Sequence, residues 1–263
     1  MENGDDFGIS VIIATKNSGR TLGSCLASLS RNIGDLEGVP VETLFVDFDS
    51  VDDTLELAAS FPNGKIIHAK KRGIAHAHNL GVSFASGRFI CFLNSDDELG
   101  EGFLRRLYEI CFESGTDDNV IVYTTVQFIG AHGDYLYKRF PPRYFEWIHR
   151  RCSVILHPNA MYPSSLMKRH FFEETQDFRP TDREQVMNVM REARSYRVRD
   201  VYYKFRIWGN SETVQRSKGA HTEVLSLSRL AKLLARCYIH LYEDNKLRRI
   251  LMRLRGRTFW RSV

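Results

Sequence analysis

Four strand-length runs, each breaking off into polar or acidic residues, constrain this chain more than any other feature. They are Ile9 to Ala14, Val41 to Val46, Lys65 to Ala69 and Arg88 to Leu93. The last reads on as RFICFLNSDDEL, straight from a buried-type strand into Asn94, Ser95, Asp96, Asp97 and Glu98. Helical spacing fills the intervals. Leu22, Cys25, Leu26 and Leu29 follow the first run; Leu55, Leu57, Ala58 and Ala59 follow the second, with Ser50 and Asp52 as N-caps. Gly73 to Ala85 is a helix whose small residues Ala75, Ala77, Gly81 and Ala85 let it lie close on a sheet. Alternating strands and helices predict an α/β fold, a mainly parallel sheet flanked by helices on both faces. Ligands on such a sheet gather at the carboxyl ends of its strands.

Those carboxyl ends carry the polar residues: Thr15 to Asn17, Asp47 to Ser50, Lys70 to Gly73 and Asn94 to Asp97. Neighbouring carboxylates at the end of an apolar strand repel one another and need a partner. A hard divalent cation, Mn or Mg, is one partner, held by one or two carboxylates and substrate phosphates. The alternative is a helix cap, with Ser95 or Asp96 opening a helix near Leu99. GxGxxG and GxxxxGK[ST] are both absent, so a nucleotide here is held by carboxylates and a metal rather than by a glycine-rich phosphate loop.

Past Gly100 the alternation weakens. Expected in order are a helix through Phe103, Leu107 and Cys111, a strand Val120 to Phe128, its hairpin partner Tyr135 to Phe140, and a short helix Tyr144 to Arg151. A strand Val154 to Tyr162 carrying His157 and Asn159, a short helix Ser164 to Arg169 and a helix from Asp182 follow. Val198 to Ile207 is the last strand, ending at Trp208, and Leu225 to Leu241 a long amphipathic helix. The expected division is a nucleotide-binding half over 1–100, an acceptor-side half over 101–220 and a helical segment with a basic tail over 221–263.

Taken together, ISVIIATKNS, VDFDSVDDT, KRGIAHAHNLGVSFASGRFICFLNSDD and the later TDREQ resemble the inverting family 2 glycosyltransferases of GT-A fold. The resemblance implies transfer of a sugar from a nucleotide-diphosphate donor to a saccharide or lipid-linked acceptor, in surface polysaccharide or glycoconjugate synthesis. It implies that Asp47 contacts the nucleotide base, that Asn94 stands at the ribose-contacting acid of the D-x-D motif, and that Asp96 binds the metal. Phe48 and Asp49 stand where that family has Asp and Gly. His78 replaces an arginine near the diphosphate, leaving a pH-dependent charge there. Asp182, with Glu184 two positions on, matches the late acidic motif of the catalytic base; a helix cap shared with Thr181 is the other reading of Asp182. The converging loops extend the expected substrate contacts to Thr15, Asn17, Asp49, Lys71, Gly73, Asn79 and Ser95. His157 lines the acceptor cleft or is a core histidine, and Trp208 with Ser211 closes over the ligands or forms a rim turn. A degenerate nucleotide-sugar-binding protein without turnover is the competing function; nucleotidyl transfer ranks below both.

With 43% hydrophobic and 26% charged residues the chain is ordinary for a globular protein. Cys25, Cys91, Cys111, Cys152 and Cys237 form no CxxC pair, which speaks against zinc and disulfides and for a reducing cytoplasm. Met1 to Asp6 is acidic and reads as no secretory signal. The segment KLRRILMRLRGRTFWRSV, from Lys246 to Val263, spaces Leu247, Ile250, Leu251 and Leu254 helically among basic residues. It is expected at the anionic inner face of a membrane or packed on the body; a nucleic-acid partner is not expected.

Overall fold

A computed structural model describes residues 8–113, 119–150, 153–175 and 181–208. Ser211, the helix expected at Leu225 to Leu241 and the basic tail lie outside the described residues.

The four leading runs are strands β1 (Ile9–Thr15), β2 (Val41–Asp47), β3 (Gly64–His68) and β4 (Phe89–Phe92). They lie in the order β3-β2-β1-β4, all parallel, with Ile9 opposite both Val41 and Phe89. Alternation sends Val11, Ile13, Cys91 and Leu93 to one face and Ile12, Ile90 and Phe92 to the other. Helices α1 (Gly19–Gly34) and α2 (Thr54–Ser60) pack on the first face, and α3 (Ile74–Phe84) packs on the second. Gly81 shows why α3 needs small residues: a Cβ there would sit 2.5 Å from Ile12 Cγ2.

The remaining elements are β5 (Glu98–Leu99), α4 (Phe103–Glu113), β6 (Val120–Ile129), β7 (Tyr135–Arg139) and α5 (Glu146–His149). They continue with β8 (Ala160–Pro163), α6 (Ser164–Arg169), α7 (Asp182–Glu192) and β9 (Arg194–Arg206). One nine-stranded sheet runs through both halves, in the order β3-β2-β1-β4-β8-β6-β9-β5, with β7 on β6. Parallel pairing recurs between β6 and β9; β8, β7 and β5 run antiparallel to their neighbours.

Three local expectations are corrected. Val154 to Tyr162 is not one strand: His157–Asn159 is a 3-10 turn, because Pro158 has no N–H to give a ladder, and β8 starts only at Ala160. No helix starts near Leu99, so Ser95 and Asp96 cap nothing; residues 98–99 are strand β5, and α4 begins at Phe103 after Gly102 at φ +65°. Asp53, not Ser50 or Asp52, occupies the cap position of α2 but makes no side-chain cap bond; Asp52 Oδ1 accepts the N–H of Thr54, the first residue of α2 (3.2 Å), and its Oδ2 accepts the N–H of Gly19 at the first turn of α1 (3.0 Å).

Candidate active site

The ends of β1 and β2 are fastened together by a buried acid. Asp47 accepts Thr15 Oγ1 (2.9 Å) and Ser50 Oγ (2.5 Å) on Oδ1, and the Ser50 backbone N–H (3.0 Å) on Oδ2. Asn17, at φ +48°, donates its N–H to Ser50 Oγ (2.9 Å), and its Oδ1 accepts Val51 N–H (2.9 Å). Asp49, at φ +49°, is exposed on the same turn, and Lys16 Nζ lies 4.0 Å from the centre of the Phe48 ring. Thr15, Asn17, Asp47 and Asp49 therefore form one loop pair, with Asp47 as its internal fastener. Ser18 ties this pair to the acidic turn, its Oγ lying 2.8 Å from Ser95 Oγ.

The acidic turn, residues 94–98, is gripped by the end of β9. Asn94 N–H donates to Tyr203 Oη (3.1 Å), and Asn94 Nδ2 donates to Asp97 Oδ2 (2.8 Å). Asp97 is buried and also accepts the Tyr203 hydroxyl (2.8 Å) and the Arg206 backbone N–H (2.7 Å). Burial, reinforced by Asp96, pushes the Asp97 carboxyl up against the pull of those donors. Arg206 donates through Nε to the Asp96 carbonyl (2.8 Å) and through Nη2 to Glu98 Oε1 (2.5 Å), while Lys204 Nζ reaches Glu98 Oε2 (3.2 Å). Trp208 Nε1 donates to Asp96 Oδ2 (3.1 Å), and the Arg20 guanidinium sits 5.3 Å from the Trp208 ring centre. Trp208 also lines a cleft of about 240 Å³ with Arg20, Ser24, Glu98, His132 and Arg206.

Of the turn's acids, Asp97 is enclosed, while Asp96 and Glu98 are partly exposed, Glu98 engaged by Arg206 and Lys204 and Asp96 by the Trp208 indole. That set fits a hard cation held by one carboxylate that takes its other ligands from diphosphate oxygens and water. Among the described residues no group of three His, Cys, Asp or Glu could hold an ion alone.

On the α3 side of the sheet the expected residues divide. Gly73, at φ +133°, precedes α3, and Lys71 is exposed beside it. Asn79 is turned inward: its Nδ2 donates to the Phe172 carbonyl (2.8 Å) and its Oδ1 accepts Phe172 N–H (2.8 Å). His157 is buried among His78, Phe92 and Phe172, with the His78 ring centre 4.7 Å away. Burial pushes His157 down to about 3 and, with His157 adding to it, pushes His78 well below the ordinary histidine value. The pH-dependent charge expected from His78 is thus corrected: at neutral pH this ring is an uncharged core group. Asp182 opens α7 partly exposed, near enough to Tyr162 to raise its phenol after burial has done so; Glu184 is exposed one turn-edge further on. Thr181 occupies the cap position without a side-chain cap bond, its hydroxyl donating instead to the Glu173 carbonyl (2.8 Å).

In sequence Ser50 stands out only as the end of the polar loop after β2 and as a cap, not as a partner of Asp47; Tyr203 and Arg206 do not stand out, since the basic and aromatic residues of β9 carry no local signal for partners so distant in the chain.

A family model described as glycosyl transferase family 2 matches residues 10–175. Glycosyltransferase GlyG of Streptococcus pneumoniae is 29% identical over 114 residues, 41% of this chain and 36% of that protein. A PGL/p-HBAD biosynthesis glycosyltransferase of Mycobacterium bovis is 42% identical over 98 residues, 35% of this chain and 36% of that one. The succinoglycan biosynthesis protein ExoO of Rhizobium meliloti is 35% identical over 104 residues, 38% of this chain and 29% of that protein. The match thus spans about a third of the length of these curated relatives. The crystal structure of S. aureus TarS 1-349 in complex with UDP-GlcNAc superposes with a TM-score of 0.59 at 20% identity, covering 78% of this chain and 60% of that one, a likeness of fold.

Proposed function

The chain belongs to glycosyl transferase family 2, and from that membership we propose that it moves a sugar from a nucleotide-diphosphate donor to a hydroxyl acceptor with inversion. The observation that carries the reading is the convergence of the Thr15–Asp47 loop pair, the Asp96 carboxylate and Trp208 at the carboxyl ends of β1, β2 and β4. Ligands of an open α/β sheet gather at the carboxyl ends of its strands, which supports a donor there. The UDP-GlcNAc in the TarS structure supports a uridine diphosphate sugar as that donor. The relatives named for succinoglycan and PGL/p-HBAD biosynthesis support a surface polysaccharide or glycoconjugate product, with a saccharide or lipid-linked acceptor.

Single displacement needs two things of the protein: positive charge for the leaving diphosphate and a carboxylate to take the acceptor proton. Asp96 would hold a divalent cation, Mn or Mg, which when bound offsets the diphosphate charge. Lys71 and Lys16, exposed at the loop ends, add charge from the chain itself. Asp182 is the base in this reading: it is partly buried at the start of α7, whereas Glu184 faces solvent. The Trp208 indole donates a hydrogen bond to Asp96 Oδ2 and so helps to orient that carboxylate.

Substitution tests each role. Asp96→Ala is expected to abolish Mn²⁺-dependent nucleotide binding while the chain stays folded, and unchanged binding would remove Asp96 from the site. Asp182→Asn is expected to cut turnover by about 10²-fold or more with donor affinity nearly intact. If Glu184→Gln shows that loss instead, the base is Glu184. Burial of His78 favours a second reading, binding of a nucleotide sugar without turnover, since no cation stands at that position. Donor binding with neither transfer nor donor hydrolysis would establish it.

A further inference from the structure

Three acids in sequence at 96–98 would repel and splay if left to themselves, yet the turn holds them apart, with Asp97 buried and Asp96 and Glu98 partly exposed. The cause lies in β9. Arg206 and Lys204 neutralise Glu98, Tyr203 and the Arg206 N–H satisfy Asp97, and the Arg206 guanidinium also fixes the Asp96 carbonyl. Asn94 belongs to the same mount: its amide gives Asp97 a donor, and its own N–H is held by the Tyr203 hydroxyl. A carboxylate at position 94 would set an acceptor against the buried Asp97, where a donor is required.

We propose that Asn94 and Tyr203 are positioning residues that act through Asp97 to hold Asp96 in place for a cation and diphosphate, rather than Asn94 serving as a ribose contact. The inference rests on the reading of the site given above. It makes the two-acid pattern that Asn94 interrupts unfavourable in this chain. Restoring it disturbs the turn.

The test is calorimetric titration of the full chain with UDP, GDP or CDP, with Mn²⁺ and again with EDTA, for wild type, Tyr203→Phe and Asn94→Asp. Tyr203→Phe removes two hydrogen bonds, the one to Asp97 and the one from the Asn94 N–H, and is expected to lower the Mn²⁺-dependent gain in affinity by about tenfold or more. Affinity in EDTA should stay within about twofold, which a merely destabilised fold would not ensure. Asn94→Asp is expected to lower the same gain despite its added acid. A folded Tyr203→Phe with the wild-type gain, or an Asn94→Asp with a larger one, overturns the proposal. Should Tyr203→Phe fail to fold, Asn94→Asp decides alone. Wild-type binding that is indifferent to Mn²⁺ overturns this inference together with the metal role given to Asp96 but leaves the donor-binding reading standing, whereas no binding of any nucleoside diphosphate overturns the reading of the site.

Discussion

His78 and His157 lie with ring centres 4.7 Å apart against Phe92 and Phe172, and His157 Nε2 is buried with no hydrogen-bond partner. Protonating either ring in place would bury a charge among aromatic side chains. His149 belongs to the same class, pushed down to about 4 by burial and by Arg183. In the unfolded chain these rings take up a proton below about 6.5; folded His157 does so only near 3. The unfolded state therefore binds more protons in that interval, and the stability that is complete above about 6.5 is lost as pH falls. Glu42, Glu146, Glu174 and Glu192, held below the usual carboxylate value of 4.5, add their own loss only further down. Between pH ~6.5 and ~5 His157 and His149 each cost about 1.5 kcal/mol, and His78 acts in the same direction. His157→Phe, which keeps an aromatic ring in the cluster, is expected to lose that much less stability over the interval in urea melts. Parallel losses in the two proteins would remove His157 as a source. In sequence His157 could be read as a core group or as a cleft group, because a single histidine beside apolar residues shows nothing of what packs on it.

At the scale of elements, Asn79 joins α3 to the segment at 171–175 by a reciprocal pair of hydrogen bonds with the Phe172 backbone, and Glu174 also accepts its amide (3.2 Å). Asn79→Ala leaves that backbone N–H and carbonyl unmatched in a partly buried place. It is expected to destabilise the fold by about 1–3 kcal/mol while donor affinity changes less than about twofold. Weaker donor binding with unchanged stability would return Asn79 to the ligand. The strands β1 to β4 were legible because both faces are buried, so each reads as an apolar run that stops where its loop begins. The later half was less so. Pro158 concealed a 3-10 turn inside an apolar stretch, and β9 opens with Arg194, Ser195 and Tyr196 on its outer part, four residues before its apolar signal begins. Asp96 was legible from its place after β4. Its mount was not, since the bonds from Tyr203, Arg206 and Trp208 cross 106 to 112 residues of chain and follow no spacing rule.

For the whole molecule, charge is distributed very unevenly. Lys246, Arg248, Arg249, Arg253, Arg255, Arg257 and Arg261 bring seven positive charges and no acid to the last stretch, so the net +5 of the chain leaves −2 for residues 1–245. Among the described residues no helix is long and apolar enough to cross a membrane. The basic stretch is the part of the sequence suited to an anionic surface, at ~1 kcal/mol per basic residue close to acidic lipid. The competing reading is that the apolar residues of this stretch pack on the body, where Tyr135, Leu136, Tyr137 and Phe140 are exposed on and just after β7. The two uses predict different behaviour. If the stretch binds acidic lipid, the full chain sediments with anionic vesicles at low salt and is released toward ~1 M salt, where the Debye length is only ~3 Å. A chain ending at Asn245 then melts at the same temperature but stays in the supernatant. If the stretch covers β7 instead, that shortened chain melts several degrees lower, and neither form sediments with the vesicles.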